Sequence, residues 1–192
     1  IGNHRMRHFY TRLGANFYAI HSLFKLLYGE RVDFKEQMVS LVETMAFRYI
    51  ERAPSLRRSD LGRERDYNWF LSQKWVGMAL YCDRFADDLK GLQANLPYLQ
   101  ELGVNLLHVM PMLDCPPEKR DGGYAVRDFY GIDPRFGSVR DVEALAATLK
   151  RRDMLLAHDV VVNHTSNAHE WAQRARQGET QYQDYYYVFD DR

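Results

Sequence analysis

Short apolar runs alternate with helical segments in the second half of the chain, and this alternation limits the folds that are open to it. The runs at residues 76–81, 104–110 and 154–162 indicate buried strands, and residues 89–102 and 139–149 carry apolar side chains at helical spacing. Parallel strands need a long crossover, and a helix that fills the crossover covers one face of the sheet. The order β, α, β, α, β therefore predicts a parallel sheet, either open and doubly wound or closed into a barrel of eight β/α units.

The first 68 residues lack this alternation and predict a separate helical domain. Two stripes of apolar residues recur at steps of three and four, which places each stripe on one helix face. The stripes are Phe9, Leu13, Phe17, Ile20, Phe24 and Leu27, and then Phe34, Met38, Leu41, Met45 and Tyr49. We interpret both as core packing rather than as a ligand pocket. Asp33 and Glu36 have the spacing of a helix-capping pair, and the Pro, Gly, Ser and charged residues at 54–65 indicate a boundary.

The composition argues against several functional classes. The 192 residues are 46% hydrophobic, which is enough for a core, and the 26 basic side chains equal the 26 acidic ones. Because these charges cancel, the chain has no net positive charge that would attract nucleic acid or an anionic membrane. We therefore expect neither as a partner. No apolar run is long enough for a bilayer span or a signal peptide. Cys82 and Cys115 lie in different predicted elements, which does not indicate a disulfide framework and fits a reducing cytoplasm.

Polar side chains follow two of the predicted strands. After the second strand, an Asp-Gly-Gly-Tyr run can turn sharply and present Asp121 and Tyr124 to one pocket. After the third strand, Asp159, Asn163 and His164 come where an apolar run gives way to a polar turn. The carboxyl ends of parallel strands meet at one edge of the sheet, where barrel enzymes place their sites. A plain turn has the same composition as the first of these loops, so a functional and a structural role both stay open for Asp121.

Three other chemistries find less support in the same residues. Asp159, His164 and Ser166 lie too close together on one strand and turn to converge as a catalytic triad. His164 and His169 lack the spacing of a helical zinc pair. No Gly-x-Gly-x-x-Gly follows the first strand, which argues against a dinucleotide site.

Several segments carry a resemblance to a known family. The most specific are Asp-Gly-Gly-Tyr-Ala-Val at 121–126 and His-Glu-Trp-Ala at 169–172, and His-Val-Met-Pro at 108–111 adds to them. The Asp-x-x-x-Asn-His block at 159–164 resembles the first sequence block of the α-amylase-type glycoside hydrolases, which is glycoside hydrolase family 13. Taken in order, the segments resemble the amylosucrases within that family, and the likeness covers nearly the whole chain.

The resemblance implies a domain organisation. It implies an α-helical amino-terminal domain at 1–68, the first three β/α units of a (β/α)8 TIM barrel at 69–165, and the start of the domain B that is inserted after the third strand at 166–192. The chain would then be an amino-terminal fragment that is inactive alone, because three strands of a barrel leave an open edge. The family's nucleophile and acid/base would lie beyond Arg192, which leaves no catalytic carboxylate in this chain.

The resemblance also implies an activity and a set of site residues. The activity is retaining transfer of a glucosyl unit from sucrose to an α-1,4-glucan acceptor, with release of fructose. Asp121 would lie at the pocket floor and pair with an arginine from outside this chain, Tyr124 would stack on the glucosyl ring, and His164 would donate a hydrogen bond to a sugar hydroxyl. Asp159 and Asn163 would brace the strand and its loop. No cofactor is implied, and no metal ion, calcium included.

Departures from the family's usual sequence leave the substrate open. His158 stands where the family usually has an apolar residue, and residues 128–130 differ from the usual continuation of the Gly-Gly-Tyr loop. The alternatives are an α-glucoside hydrolase or sucrose isomerase of the same family, and a noncatalytic sugar-binding module. Aromatic residues near the end could stack on a glucan, but we favour packing for them. They are Tyr182, Tyr185, Tyr186, Tyr187 and Phe189.

Overall fold

The chain separates into two units of different architecture, Ile1–Trp69 and Phe70–Arg192. The computed structural model describes residues 3–189, and it describes side chains from residue 6 onward. The domains predicted from sequence begin at residue 1 and end at residue 192, so their first two and last three residues lie outside the described part. Among residues 3–189, no helix is both long enough and apolar enough to cross a bilayer.

The first unit is made of helices whose predicted apolar stripes contact each other. The ring of Phe9 lies 5.5 Å from that of Tyr49, and the ring of Phe24 lies 5.7 Å from that of Phe34, measured between centroids. Contacts of this kind hold two helices together through aromatic burial. The helices are α1 (Asn3–Tyr28), α2 (Phe34–Glu51) and α3 (Pro54–Arg65). Phe17 and Leu27 of the first stripe remain exposed, so this stripe is only partly covered.

The segment at residues 54–65, which the sequence indicates as a boundary, is a helix that ends four residues before the last residue of the first unit. Pro54 begins α3, where its fixed φ suits a helix and its missing N–H is not needed. Arg52 then donates two hydrogen bonds to Asp60, from Nε at 2.6 Å and from Nη2 at 2.9 Å. The sequence of α3 has no apolar stripe that would have identified a helix. In the structure, none of its residues is buried.

The predicted capping pair at the start of α2 is wrong. Asp33 occupies the N-cap position, but its side chain accepts no hydrogen bond from the helix backbone. The carboxylate instead accepts from Arg31 at 2.9 and 3.2 Å and from Gln37 at 3.1 Å. A guanidinium that offers two donors competes successfully with backbone amides for the same oxygens.

The second unit contains a parallel sheet, as the alternating pattern predicts. The strands are β1 (Gly77–Leu80), β2 (Leu106–Val109), β3 (Leu113–Asp114), β4 (Asp128–Ile132) and β5 (Leu155–His158). Strands β1, β2 and β5 pair in parallel in that order, and β3 and β4 form a separate antiparallel pair. The remaining helices are α4 (Cys82–Ala86), α5 (Leu89–Ala94), α6 (Leu96–Glu101), α7 (Val139–Arg151), α8 (Glu170–Arg176) and α9 (Thr180–Gln183).

The core lies between the crossover helices and one face of the parallel sheet. Its buried side chains include leucines that are at most 1% exposed, namely Leu89, Leu92, Leu96, Leu99, Leu107, Leu145 and Leu149. Each such leucine contributes about 1.5–3 kcal/mol relative to an exposed position. Ser138 and Asp141 form a capping box that fixes the first turn of α7, so its buried leucines face the sheet in a set register.

The helix predicted over residues 89–102 is broken in two. Pro97 has no N–H for the carbonyl of Gln93, and its ring would clash with that carbonyl in a continuous helix. The chain therefore kinks at Asn95, which lies between α5 and α6. The Asn95 side chain donates to the Gly91 carbonyl at 2.9 Å and so satisfies an acceptor near the end of α5.

The third parallel strand is shorter than the apolar run that predicted it. Pairing ends where Val109 lies opposite His158, and Val160 and Val162 are 63% and 86% exposed. The neighbouring strand cannot extend the ladder because Pro111 lacks a backbone donor. The polar residues from Asp159 onward therefore belong to a loop that leaves the sheet.

The aromatic residues near the end of the unit pack only in part. The ring of Tyr185 lies 5.1 Å from that of Trp171 and 5.7 Å from that of Tyr182. Tyr187 and Phe189 are 96% and 80% exposed. The packing that we favoured therefore holds for the residues near α8 and α9 and does not extend to the last two rings.

Candidate active site

Asp159 lies at the centre of a polar cluster at the carboxyl ends of β2 and β5. One carboxylate oxygen, Oδ1, is 2.9 Å from Nε2 of His108, and the other, Oδ2, accepts from the Tyr124 hydroxyl at 3.1 Å. A carboxylate only accepts, so the His108 ring donates through Nε2–H. The two loops that the sequence singled out therefore meet at this one acid.

The cluster changes the acidity of its members in opposite directions. The hydrogen bond from His108 holds the pKa of Asp159 below its ordinary value, against the opposing effect of burial and with help from the Tyr124 hydroxyl. Burial, and then the hydrogen bond to Asp159, raises the pKa of Tyr124. The acid is therefore an anion and the phenol a neutral donor at neutral pH, as the bond between them requires.

The loop that carries Asp121 and Tyr124 has an unusual backbone. Asp121, Gly122 and Gly123 have φ angles of 47°, 65° and 98°, all in the left-handed region. A Cβ on Gly123 would lie 2.8 Å from the carbonyl oxygen of Pro111, so only glycine fits there without displacement. The loop therefore passes against the end of β2, which brings Tyr124 to Asp159.

The β3–β4 pair anchors this loop, and the sequence analysis did not predict that pair. Arg127 donates to Asp114 from Nε at 2.7 Å and from Nη2 at 2.8 Å, a bidentate ion pair across the base of the loop. Burial raises the pKa of the Cys115 thiol to about 11, so the thiol stays protonated. It donates to the Gly123 carbonyl at 3.3 Å.

Substitution of Gly123 gives a test of this close approach. We expect Gly123→Ala to lower the free energy of unfolding by about 2–4 kcal/mol, because the new methyl group meets backbone and the φ angle is unfavourable. Gly103→Ala is the matched control, since Gly103 has a φ of 82° and its Cβ would meet nothing within 4 Å. The control should lose only about 1 kcal/mol in urea denaturation. Equal losses in the two variants would contradict the steric argument.

His164 and Asn163 lie beside the same loop. The Asn163 amide donates to Nδ1 of His164 at 2.8 Å, and the His164 Nε2 donates to the carbonyl oxygen of Tyr124 at 3.1 Å. Both ring nitrogens are thus engaged, and the imidazole ties the loop after β5 to the loop after β2. Asp121 is exposed and makes no ion pair within residues 3–189.

The sequence analysis missed two residues near the site. His108 lies on β2 and contacts Asp159, although the sequence treated residues 108–111 only as a family segment. Tyr81 follows β1, and its hydroxyl would lie 3.6 Å from a Cβ on Gly122. A histidine inside an apolar strand is a usable signal because burying a polar ring needs a partner. Nothing in the sequence distinguishes Tyr81 from other exposed tyrosines.

The residues of the site do not form a metal centre. Within residues 3–189, no group of three or more His, Cys, Asp or Glu side chains could hold a metal ion. His169 accepts a hydrogen bond from the Trp171 backbone through Nδ1 at 3.1 Å, and burial lowers its pKa. This histidine caps α8 in its neutral form.

The parallel β/α arrangement, with polar loops gathered at the carboxyl ends of the strands, is typical of catalytic domains of the α/β class. Comparison with known proteins then identifies the group. Residues 61–192, more than two thirds of the chain, match the family described as alpha amylase, catalytic domain. The chain belongs to the alpha-amylase family.

Relatives of the chain act on several glucosides. It is 39% identical over 141 residues to a trehalose synthase/amylase of Mycolicibacterium smegmatis, covering 69% of this chain and 23% of that protein. It is 36% identical over 132 residues to a glucan 1,6-alpha-glucosidase of Streptococcus pneumoniae, covering 63% and 24%. An isomaltulose synthase mutant of Erwinia rhapontici in complex with sucrose superimposes with a TM-score of 0.56 at 32% identity, covering 62% and 22%. The chain thus spans about a quarter or less of the length of these relatives.

Proposed function

We propose that the protein acts as an amylosucrase, a retaining glucosyltransferase that moves glucosyl from sucrose to an α-1,4-glucan and releases fructose. The observation that supports binding of a glucosyl ring is the placement of Tyr124 beside Asp159 and of His164 beside the Tyr124 carbonyl, at the carboxyl ends of the parallel strands. The choice of an amylosucrase rests on the segments at 121–126 and 169–172, which resemble that group. A sugar ring has an apolar face and a rim of hydroxyls. An aromatic ring suits the face, and carboxylate and imidazole groups suit the hydroxyls.

Each site residue has a role in this proposal. Tyr124 is the platform for the glucosyl ring, and the exposed Asp121 accepts from sugar hydroxyls and pairs with an arginine from outside this chain. His164 donates to a sugar hydroxyl through Nε2, which in this structure contacts the Tyr124 carbonyl, so the hydroxyl would replace that carbonyl as the acceptor. Asp159 and Asn163 support these groups through their contacts with Tyr124 and His164.

Retaining transfer needs two further carboxyl groups. One forms a covalent bond to the glucosyl carbon, and the other protonates the leaving fructose and then activates the acceptor. We assign neither role to a residue of this chain. We also propose that residues 1–68 are an amino-terminal domain, that 69–165 supply the first three β/α units of the barrel, and that 166–192 begin an inserted domain B that contains α8 and α9.

A second candidate function is hydrolysis of an α-glucoside or isomerisation of sucrose. It is favoured by relatives described as glucan 1,6-alpha-glucosidase and as isomaltulose synthase in complex with sucrose. A third candidate is a sugar-binding module without catalysis. The structure of the cluster around Asp159 fits all three, because each of them begins by binding a glucosyl ring.

Product analysis separates the candidates. The protein is produced from the complete natural reading frame that encodes this chain and incubated with sucrose, and the sugars are resolved by chromatography. We expect free fructose together with a growing α-1,4-glucan that stains with iodine. Glucose and fructose in equal amounts would indicate a hydrolase, and a rearranged disaccharide would indicate an isomerase. Saturable sucrose binding without turnover would indicate a binding module. Any of these three results overturns the proposal.

A further inference from the structure

His108 lies on β2 between two small residues of the adjacent strands. Its register partners are Ala79 on β1 and Ala157 on β5, and paired residues of parallel strands project from the same face. The two methyl groups leave room for an imidazole between them. The alternate residues Leu107 and Val109 are fully buried on the opposite face, against the helices. The ring is therefore set on the face that also carries Asp159.

The hydrogen bond from His108 fixes the position of Asp159, because Asp159 makes no strand pairing in the sheet. The pairing of β2 and β5 ends at His158, so Asp159 is the first residue of the departing loop. Its neighbour Val160 is 63% exposed and gives little packing. The bond from His108 at 2.9 Å joins the loop residue to a side chain fixed on a strand.

The carboxylate of Asp159 transmits this constraint. His108 uses one oxygen and the Tyr124 hydroxyl uses the other, so two donors fix the orientation of the carboxylate. The bond from His108, at 2.9 Å, is the shorter of the two, and the bond from the Tyr124 hydroxyl, at 3.1 Å, is longer than is usual for a hydroxyl donor. The position of the Tyr124 ring then depends on a chain of two bonds that begins on β2.

We infer that His108 is a positioning residue for the proposed glucosyl site, which through Asp159 holds the Tyr124 ring where it stacks on the sugar. The inference rests on the proposed function for its substrate and on the geometry of the three side chains for its mechanism. In this role His108 contacts Asp159 rather than the sugar. Its role is to donate through Nε2–H to Asp159 Oδ1.

Kinetics on the protein from the complete reading frame test the role. We expect His108→Met, which lacks a donor, to lower kcat/KM for sucrose about 10-fold, mainly through a higher KM. His108→Gln can place an amide N–H near the position of Nε2 and should restore activity to within about 3-fold of the wild type. In a Tyr124→Phe background the His108→Met change should cost less than about 2-fold, because no hydroxyl is left to position.

A general loss of folded protein would look different. It would lower the apparent kcat, leave KM unchanged, and act equally in the wild-type and Tyr124→Phe backgrounds. That result would overturn the inference, as would a failure of His108→Gln to restore activity while its urea midpoint equals that of the wild type.

A second measurement does not depend on catalysis. In protein labelled with ¹⁵N-histidine, NMR should show His108 as the Nε2–H tautomer, with its signals assigned by their loss in His108→Gln. Asp159→Ala should shift those signals, since it removes the acceptor. An Nδ1–H tautomer, or signals unchanged in Asp159→Ala, would refute the positioning role. If the wild type fails to turn over sucrose, the proposed function is wrong, and this measurement alone decides the inference for His108.

Discussion

Tyr124→Ala is expected to lower kcat/KM for sucrose about 100-fold in the protein from the complete reading frame, because it removes both the ring and the hydroxyl that fixes it. Tyr124→Phe keeps the ring and loses only the hydrogen bond to Asp159 at 3.1 Å. Because the bond lies in a solvent-accessible site, this variant should lose only about 10-fold. The difference between the two variants measures what the ring contributes. Initial rates of fructose release over a range of sucrose concentrations give both values.

The control for this series is Tyr18→Ala. Tyr18 lies on α1 and is 84% exposed, and alanine is a better helix former than tyrosine. Its kcat/KM should stay within about 2-fold of the wild type, as is usual for surface changes. If Tyr124→Ala behaves like this control, Tyr124 is not the sugar platform. Equal losses in Tyr124→Ala and Tyr124→Phe would instead assign the whole effect to the hydroxyl.

The largest expected effect on stability comes from Leu99→Ala. Leu99 lies on α6 and is 0% exposed in the core between the helices and the sheet. Its truncation removes apolar contacts and leaves a cavity that the leucines around it cannot fill. Substitutions of this type lose about 3 kcal/mol, within a range of 2–5. Urea denaturation should show a lower midpoint with an unchanged m-value.

Leu102→Ala is the matched control for the core. Leu102 is the C-cap residue of α6, three positions further along the chain, and is 50% exposed. The two substitutions make the same chemical change, and they differ in burial. We expect Leu102→Ala to lose less than about 1 kcal/mol. A loss as large as that of Leu99→Ala would mean that the core extends beyond the leucines that the structure buries.

Sequence patterns predicted the elements better than their ends. The alternation of apolar runs and helical stripes predicted three parallel strands, and β1, β2 and β5 are found within the predicted runs. The pattern did not predict where two of these elements end, and in each case a proline sets the end. Pro97 divides a predicted helix, and Pro111 ends the sheet before the apolar run of the third strand is complete. Apolar periodicity reports which residues avoid water, and it does not report which backbone donors are missing.

The candidate site was also predicted from the sequence only in part. Sequence alone drew attention to Asp121, Tyr124, Asp159, Asn163 and His164, and the roles we give them remain proposals. It gave Asp159 only a bracing role beside its own strand, and it did not connect this acid with His108 or with the Tyr124 hydroxyl. Residues 108, 124 and 159 are far apart in the chain. Their meeting depends on strand order and on the path of a loop with three left-handed residues.

The sequence by itself determined that this chain forms helices in its first part and a parallel β/α sheet in its second, because the spacing of apolar residues is a local property that each segment carries alone. It also determined which polar residues follow the strands. Only the tertiary structure decided that Asp159 accepts from both His108 and Tyr124. The physical reason is that a hydrogen bond needs its donor and acceptor within about 3 Å, a distance that sheet register and loop path set.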